Sequence, residues 1–172
     1  MLYFITFYIV ICNNIYWGFD MASRAISGAT TRLKSVELVD PLENLLGYQL
    51  RRASILIMKD LHEALTSVEL SPAEASVLLV IKANPKVKLI EVGRCLAIKR
   101  ANMTPIVAQL EQRGLVERTV DGRAHALVLT PQGDKLALQV EAVIAQHEQR
   151  CLGHLDKATQ KQMQEILHTL RG

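Results

Sequence analysis

After Phe19 the chain holds a single aromatic residue, Tyr48, and this scarcity splits the sequence in two. The other seven aromatics are Tyr3, Phe4, Phe7, Tyr8, Tyr16, Trp17 and Phe19, a break that one folded domain does not produce. Leu2 to Cys12 is apolar apart from Thr6. It is too short for the about 20 residues that a bilayer-spanning helix needs. No basic stretch precedes it and no small-residue cleavage site follows, so a signal peptide is not expected. Met21, followed by Ala22, Ser23 and Arg24, reads as a second start. Residues 1–20 are therefore expected to be a mis-called start or an extension. The alternative is a membrane-associating N-terminal segment, although no stable membrane association is expected.

Cysteine is scarce as well. Cys12, Cys95 and Cys151 are odd in number, widely spaced and free of any Cys-x-x-Cys pattern. That excludes a disulfide framework and points to a reducing cytoplasm. Glycine-rich phosphate loops and the Gly-x-Ser-x-Gly nucleophile turn are absent. No histidine or carboxylate pair marks a catalytic cleft, so neither an enzyme nor a cofactor is expected.

Net charge is only +3, too mild to name a partner. Its distribution says more. Residues 82–123 carry nine Lys or Arg against four acids, a net +5, whereas residues 124–172 net zero and residues 1–81 net −2. A basic third on a neutral scaffold is the footprint of a polyanion-binding module.

The apolar spacing is mostly helical. Residues 21–40 are polar and read as a flexible arm. Asp40-Pro41 reads as an N-cap followed by proline at the first helical position. Leu42, Leu45, Leu46, Leu50, Ala53, Ile57, Leu61 and Leu65 then recur in steps of three and four, the mark of a long amphipathic helix. Ser71-Pro72 with Glu74 three residues on is a capping box, opening a second helix that stops at Asn84-Pro85. A third, short helix spans Lys88 to Leu96. A fourth spans Arg100 to Arg113, with Met103, Ile106, Val107 and Leu110 on one face and Gly114 just past its end. The period then shortens. Residues 115–119 and 125–130 alternate as strands around Val120-Asp121-Gly122-Arg123, a β-hairpin. Thr130-Pro131 restarts a helix along Leu136, Val140, Val143, Ile144, His147 and Cys151. Asp156 caps a last one bearing Met163, Ile166, Leu167 and Leu170. The fold class is mainly α with a small β-hairpin wing (α+β): a winged helix-turn-helix with an all-α dimerisation region.

Two short helices joined by a tight break, then a hairpin, form a DNA-reading unit. The first helix braces the phosphate backbone. The second enters the major groove, where each base pair shows a distinct pattern of donors and acceptors. Lys99, Arg100, Asn102, Met103, Thr104 and Pro105 crowd its start and are the expected DNA contacts, with Gln109 further along the outward face. Arg and Lys suit guanine, and Asn pairs with adenine in a bidentate way. Arg123 at the hairpin tip suits the electronegative minor groove, and Asp121 is placed to hold its guanidinium. Arg118 has two readings, a phosphate contact or a pairing with Glu117 or Asp121.

The run Leu110-Glu111-Gln112-Arg113-Gly114-Leu115-Val116-Glu117-Arg118 resembles the recognition-helix-to-strand junction of the MarR family of bacterial transcriptional regulators. Asp121-Gly122-Arg123, continuing to Leu129-Thr130-Pro131-Gln132-Gly133, resembles that family's wing. The resemblance spans residues 40–171. It implies a homodimer on double-stranded DNA, with a domain at residues 41–172. Its winged helix would occupy about 70–130, and its dimerisation helices about 41–66 and 131–171. It also implies a pocket between dimer helices and DNA lobes, where a ligand releases the operator, and repression as the mode of action.

For the signal, three readings compete. The first is a small organic effector, an aromatic acid or a CoA thioester. Tyr48, Arg51 and Arg52 on the first helix would hold it, the arginines being suited to a carboxylate or phosphate. Residues 98–105 are similar to members that control aromatic-acid catabolism. As plain structure, both arginines are surface charges. The second reading is thiol oxidation, but no cysteine opens the first helix, and Cys95 and Cys151 read as inert core thiols. The third is a metal. His147, Cys151 and His154 recur at i, i+4 and i+7, yet Gly153 loosens the helix there and no fourth ligand is evident, so no metal is assigned. An effector-independent architectural DNA-binding protein is the alternative from another class.

Overall fold

The computed structural model describes residues 39–121 and 124–170, without the side chains of residues 120, 121, 124 and 125. The expectations for residues 1–38, for Arg123 and for the Asp121 side chain lie outside the described residues.

The elements run α1 (Leu46–Leu65), a 3-10 turn (Thr66–Val68), α2 (Pro72–Ala83), β1 (Val87–Lys88), α3 (Leu89–Cys95), α4 (Arg100–Gln112), β2 (Val116–Asp121), β3 (Ala124–Leu129), α5 (Pro131–Leu152) and α6 (Lys157–Thr169). Asp40 does not open α1. Its carboxylate accepts the Leu42 N–H at 2.9 Å and its carbonyl accepts the Glu43 N–H at 3.3 Å, so it builds a turn. The helix begins at Leu46, after a Leu45 N-cap with no side-chain partner. Asp-Pro starts turns as readily as helices. Leu42, Leu45 and Leu46 are all exposed, so no packing favours an earlier start. Only Met58, Leu61 and Leu65 of α1 are buried.

The Ser71 capping box forms as expected: Ser71 Oγ accepts from the Glu74 N–H, and Glu74 Oε2 accepts the Ser71 N–H at 2.8 Å. Every residue from Ala75 to Ile81 is buried, which makes α2 the central helix. Around it Val92, Leu96, Met103, Val107, Leu110, Leu115 and Leu127 close one core. Truncating any of these leucines to alanine is expected to cost about 2–5 kcal/mol.

The hairpin gains a third strand that periodicity does not show. β1 pairs antiparallel with β3, Val87 opposite Leu127, giving the order β1-β3-β2. Within the hairpin Val116 faces Leu129 and Asp121 faces Ala124.

Thr130 caps α5 by accepting the Gly133 N–H at 3.0 Å, and donates to the Gly114 carbonyl at 2.6 Å. One side chain thus fixes both the end of the hairpin and the start of the long helix. Asp156 caps α6 through the Thr159 N–H at 2.9 Å. No residue of α6 is buried, and Met163, Ile166 and Leu170 are exposed. The two terminal helices therefore present uncovered apolar surface in a single chain. Among the described residues no single helix is long and apolar enough to cross a membrane.

Candidate nucleic-acid interface

The break between α3 and α4 is set by two small residues. Ala97 adopts a left-handed backbone with φ of 51°. At Gly93 an added Cβ would lie 3.0 Å from the Ile98 carbonyl oxygen and 3.3 Å from Met103 Cγ. The Ile98 N–H closes the break on the Gly93 carbonyl at 2.9 Å. With Leu96 and Ile98 buried on either side, the second helix emerges at a fixed angle.

That angle exposes Lys99, Arg100, Thr104, Pro105 and Gln109, with Asn102 half-buried. None of the described acids pairs with Lys99 or Arg100, so both cations are available to a polyanion. Met103 is a correction. It is 1% exposed and packs into the core, so it supports the helix from beneath and cannot reach a duplex. A methionine in a 3–4 repeat with Val107 and Leu110 belongs to the inward face, whatever its closeness in sequence to the basic residues.

Among the described residues Arg118 pairs with Glu111 rather than with Glu117. Its Nε and guanidinium nitrogen donate to the two Glu111 carboxylate oxygens at 2.6 and 3.1 Å. This fork ties strand β2 to the end of α4. Arg113 is also spent internally, donating to the Glu69 carbonyl at 2.7 Å, and Lys82 pairs with Glu141 at 2.9 Å. Lys99 and Arg100, at the start of α4, remain exposed without an ion pair among the described residues. Arg94, which sequence reasoning did not single out, joins Lys99 and Arg100 around a concavity with Ile90, Ala97 and Met103. Its place in the last turn of α3 was the available signal.

Tyr48, Arg51 and Arg52 lie on the outer half of α1. Tyr48 donates to Asp40 at 3.2 Å, Arg52 lies 3.6 Å from the same carboxylate, and its guanidinium sits over the Tyr48 ring at 5.6 Å. Arg51 is exposed, with no ionic partner among the described residues. The concavity beside α4, and a second one between the 3-10 turn and the start of α5, both lie elsewhere.

The expected stripe of His147, Cys151 and His154 is changed. His147 is fully buried and Cys151 half-buried, but His154 lies past the end of α5 and is exposed. Asp60 of α1 takes its place: its Oδ2 is 3.2 Å from His147 Nε2 and 3.4 Å from Cys151 Sγ. Cys95 is exposed, so it is not a core thiol. The seven-residue α3 turns Val92 inward and leaves Cys95 outside.

A helix pair with a rigid break, a cationic and solvent-facing second helix, and a hairpin directly after it define a winged-helix DNA-binding protein. A MarR family model matches residues 69–125. The transcriptional repressor CouR, in a structure bound to p-coumaroyl-CoA, is 34% identical, covers 81% of this chain and 97% of its own, and has a TM-score of 0.70. Its structure on a 23-mer DNA duplex is 33% identical over 83% of this chain and all of that one, with a TM-score of 0.72. Rv2887 of Mycobacterium tuberculosis, in complex with salicylic acid, is 27% identical over 73% of this chain and 95% of its own, with a TM-score of 0.59. A putative transcriptional regulatory protein for the hcr operon of Thauera aromatica is 27% identical, over 66% of this chain and 70% of its own. The chain belongs to the MarR family.

Proposed function

We propose that this chain is a cytoplasmic, homodimeric repressor that leaves a pseudo-palindromic operator when an aromatic acid or its CoA thioester binds. It is a regulator and not an enzyme. The observation that carries the reading is the exposed, acid-free start of α4, seated by the Gly93–Ile98 break beside a hairpin. Arg100 and Asn102 read base edges. Lys99, Thr104, Pro105 and Gln109 complete the contact face, and Arg123 enters the minor groove from the hairpin tip, held by Asp121. Arg118 acts mainly through Glu111.

Dimerisation through residues 41–66 and 131–171 accounts for the open apolar surface on α6 and the first turns of α1. It would set two copies of residues 70–130 about one DNA turn, roughly 34 Å, apart. The likeness to CouR supports an acyl-CoA effector, and the likeness to Rv2887 supports an aromatic acid. Tyr48, Arg51 and Arg52 are the proposed effector contacts. Arg51 is ready for an anion, whereas Arg52 must exchange Asp40 for it.

Fluorescence anisotropy with a labelled fragment of the chain's own promoter tests the proposal. Preference over random duplex by about 10³-fold or more is expected for a regulator. Release by p-coumaroyl-CoA or a related thioester, and not by free CoA, is expected for the effector. Equal affinity for all duplexes would instead indicate an architectural binder.

A further inference from the structure

Three potential metal ligands from two helices meet where the last turns of α5 pack on the second half of α1. Asp60 Oδ2, His147 Nε2 and Cys151 Sγ are 3.2, 3.4 and 3.5 Å apart. Zinc bonds of about 2.0–2.1 Å to nitrogen and oxygen and 2.3 Å to sulfur, at tetrahedral angles, require ligand separations of about 3.3–3.6 Å. The three atoms therefore already outline one face of a zinc tetrahedron. We propose that Asp60, His147 and Cys151 form a binding site for Zn²⁺, or a cation of similar thiophilic character, that clamps α1 to α5 and leaves a fourth position for water.

The surroundings suit that role. The His147 ring is fully buried between the two helices, which fixes its position. Asp60 Oδ2 accepts a hydrogen bond from Arg150 at 2.5 Å. Two features oppose the metal. Arg150 occupies the Asp60 oxygen that faces the other ligands, and must shift to the second oxygen or to solvent. The Cys151 thiol, which donates to Asp60 Oδ2 at 3.4 Å, must also lose its proton. Zinc binding then breaks the S–H bond, forms a Zn–S bond and releases one proton to solvent, so affinity rises with pH. A mixed oxygen, nitrogen and sulfur set favours zinc over calcium or magnesium, which prefer oxygen alone. The site does not depend on the proposed effector or operator.

The test uses the full chain, stripped with a chelator and titrated with Co²⁺ as the spectroscopic probe. A thiolate-to-cobalt absorption band that saturates at one ion per chain is expected, and Zn²⁺ should bleach it. Cys151→Ser should abolish the band, Cys95→Ser should keep it, and Asp60→Asn should weaken Co²⁺ binding at least tenfold. No band in the unaltered chain, or a band that survives Cys151→Ser, overturns the site. An unchanged affinity in Asp60→Asn overturns the three-ligand set. Alkylation of the unaltered chain avoids any folding defect of a variant. Zn²⁺ should slow iodoacetamide labelling of Cys151, located by peptide mass, and leave Cys95 unprotected. Equal rates at Cys151 with and without Zn²⁺ contradict the proposal.

Discussion

The side-chain carbon that Gly133 lacks would fall 1.9 Å from the carbonyl oxygen of Leu115. No larger residue fits there without moving backbone. The contact seats the first turn of α5 on the root of the hairpin. It lies beside the Thr130 bonds to Gly133 and Gly114, so the DNA-facing lobe and the long helix meet at one rigid joint. Gly133→Ala is expected to lower stability by about 1–3 kcal/mol or more, because the added methyl must displace the backbone carbonyl of Leu115, just before β2. Urea unfolding monitored by far-UV circular dichroism checks this, and an unchanged midpoint would reject the tight joint.

Asn102→Ala should relax base choice at one position in each half-site, with a loss of about 1–3 kcal/mol on the preferred operator. Competition binding against operators altered one base at a time measures it. A loss equal for all sequences would move Asn102 from base reading to backbone contact. Arg123→Ala is expected to flatten preference at the operator flanks instead.

Met103 offers a contrast on the same helix. Met103→Ala should cost about 2–5 kcal/mol of stability, since the side chain is buried in the core. Met103→Leu should keep both fold and operator preference, because volume is nearly conserved. A changed base preference in the folded Leu variant would contradict the inward placement.

Arg51→Ala should weaken effector binding more than Arg52→Ala, because Arg52 already satisfies Asp40 and stacks on Tyr48. Calorimetric titration with an aromatic acyl-CoA checks the order. Equal losses would mean that Asp40 releases Arg52 at no cost.

Asp156 supplies the pH-dependent prediction. Its hydrogen bonds from Thr159 lower its pKa from 3.8. A carboxylate with a depressed folded pKa stabilises the fold above its unfolded value, and that contribution disappears as pH falls through the folded one. Amide exchange at Thr159 and Gln160 should therefore accelerate as pH drops below about 4, beyond the intrinsic pH effect. Asp156→Asn, which keeps an accepting oxygen, should abolish this excess; its persistence would assign the loss to another group.

What could be read from the sequence was local. Ser71 with Glu74, Thr130 with Gly133, and Asp156 with Thr159 are contacts three residues apart, and each lies at the helix start its residue types announce. Asp40 misled because its residue type opens turns as well as helices, and no partner surface covers Leu42 to Leu46 to decide between them. β1 escaped because two residues carry no period, and its pairing with Leu127 spans the whole helix-turn-helix. The α4 contact face was legible from charge, but Met103 was drawn into it by proximity, although the helical period already placed it inside. Asp60 is 91 residues from Cys151, so only the fold joins it to a spacing visible on α5.

Footprinting of the chain on its own promoter tests the central claim most directly, with purified protein titrated at several salt concentrations. The account predicts two symmetry-related protected stretches, their centres about one helical turn apart, occupied together by one dimer. Log affinity should fall linearly with log salt concentration. A single unpaired footprint from a monomer, or no protection even in dilute buffer, would contradict it.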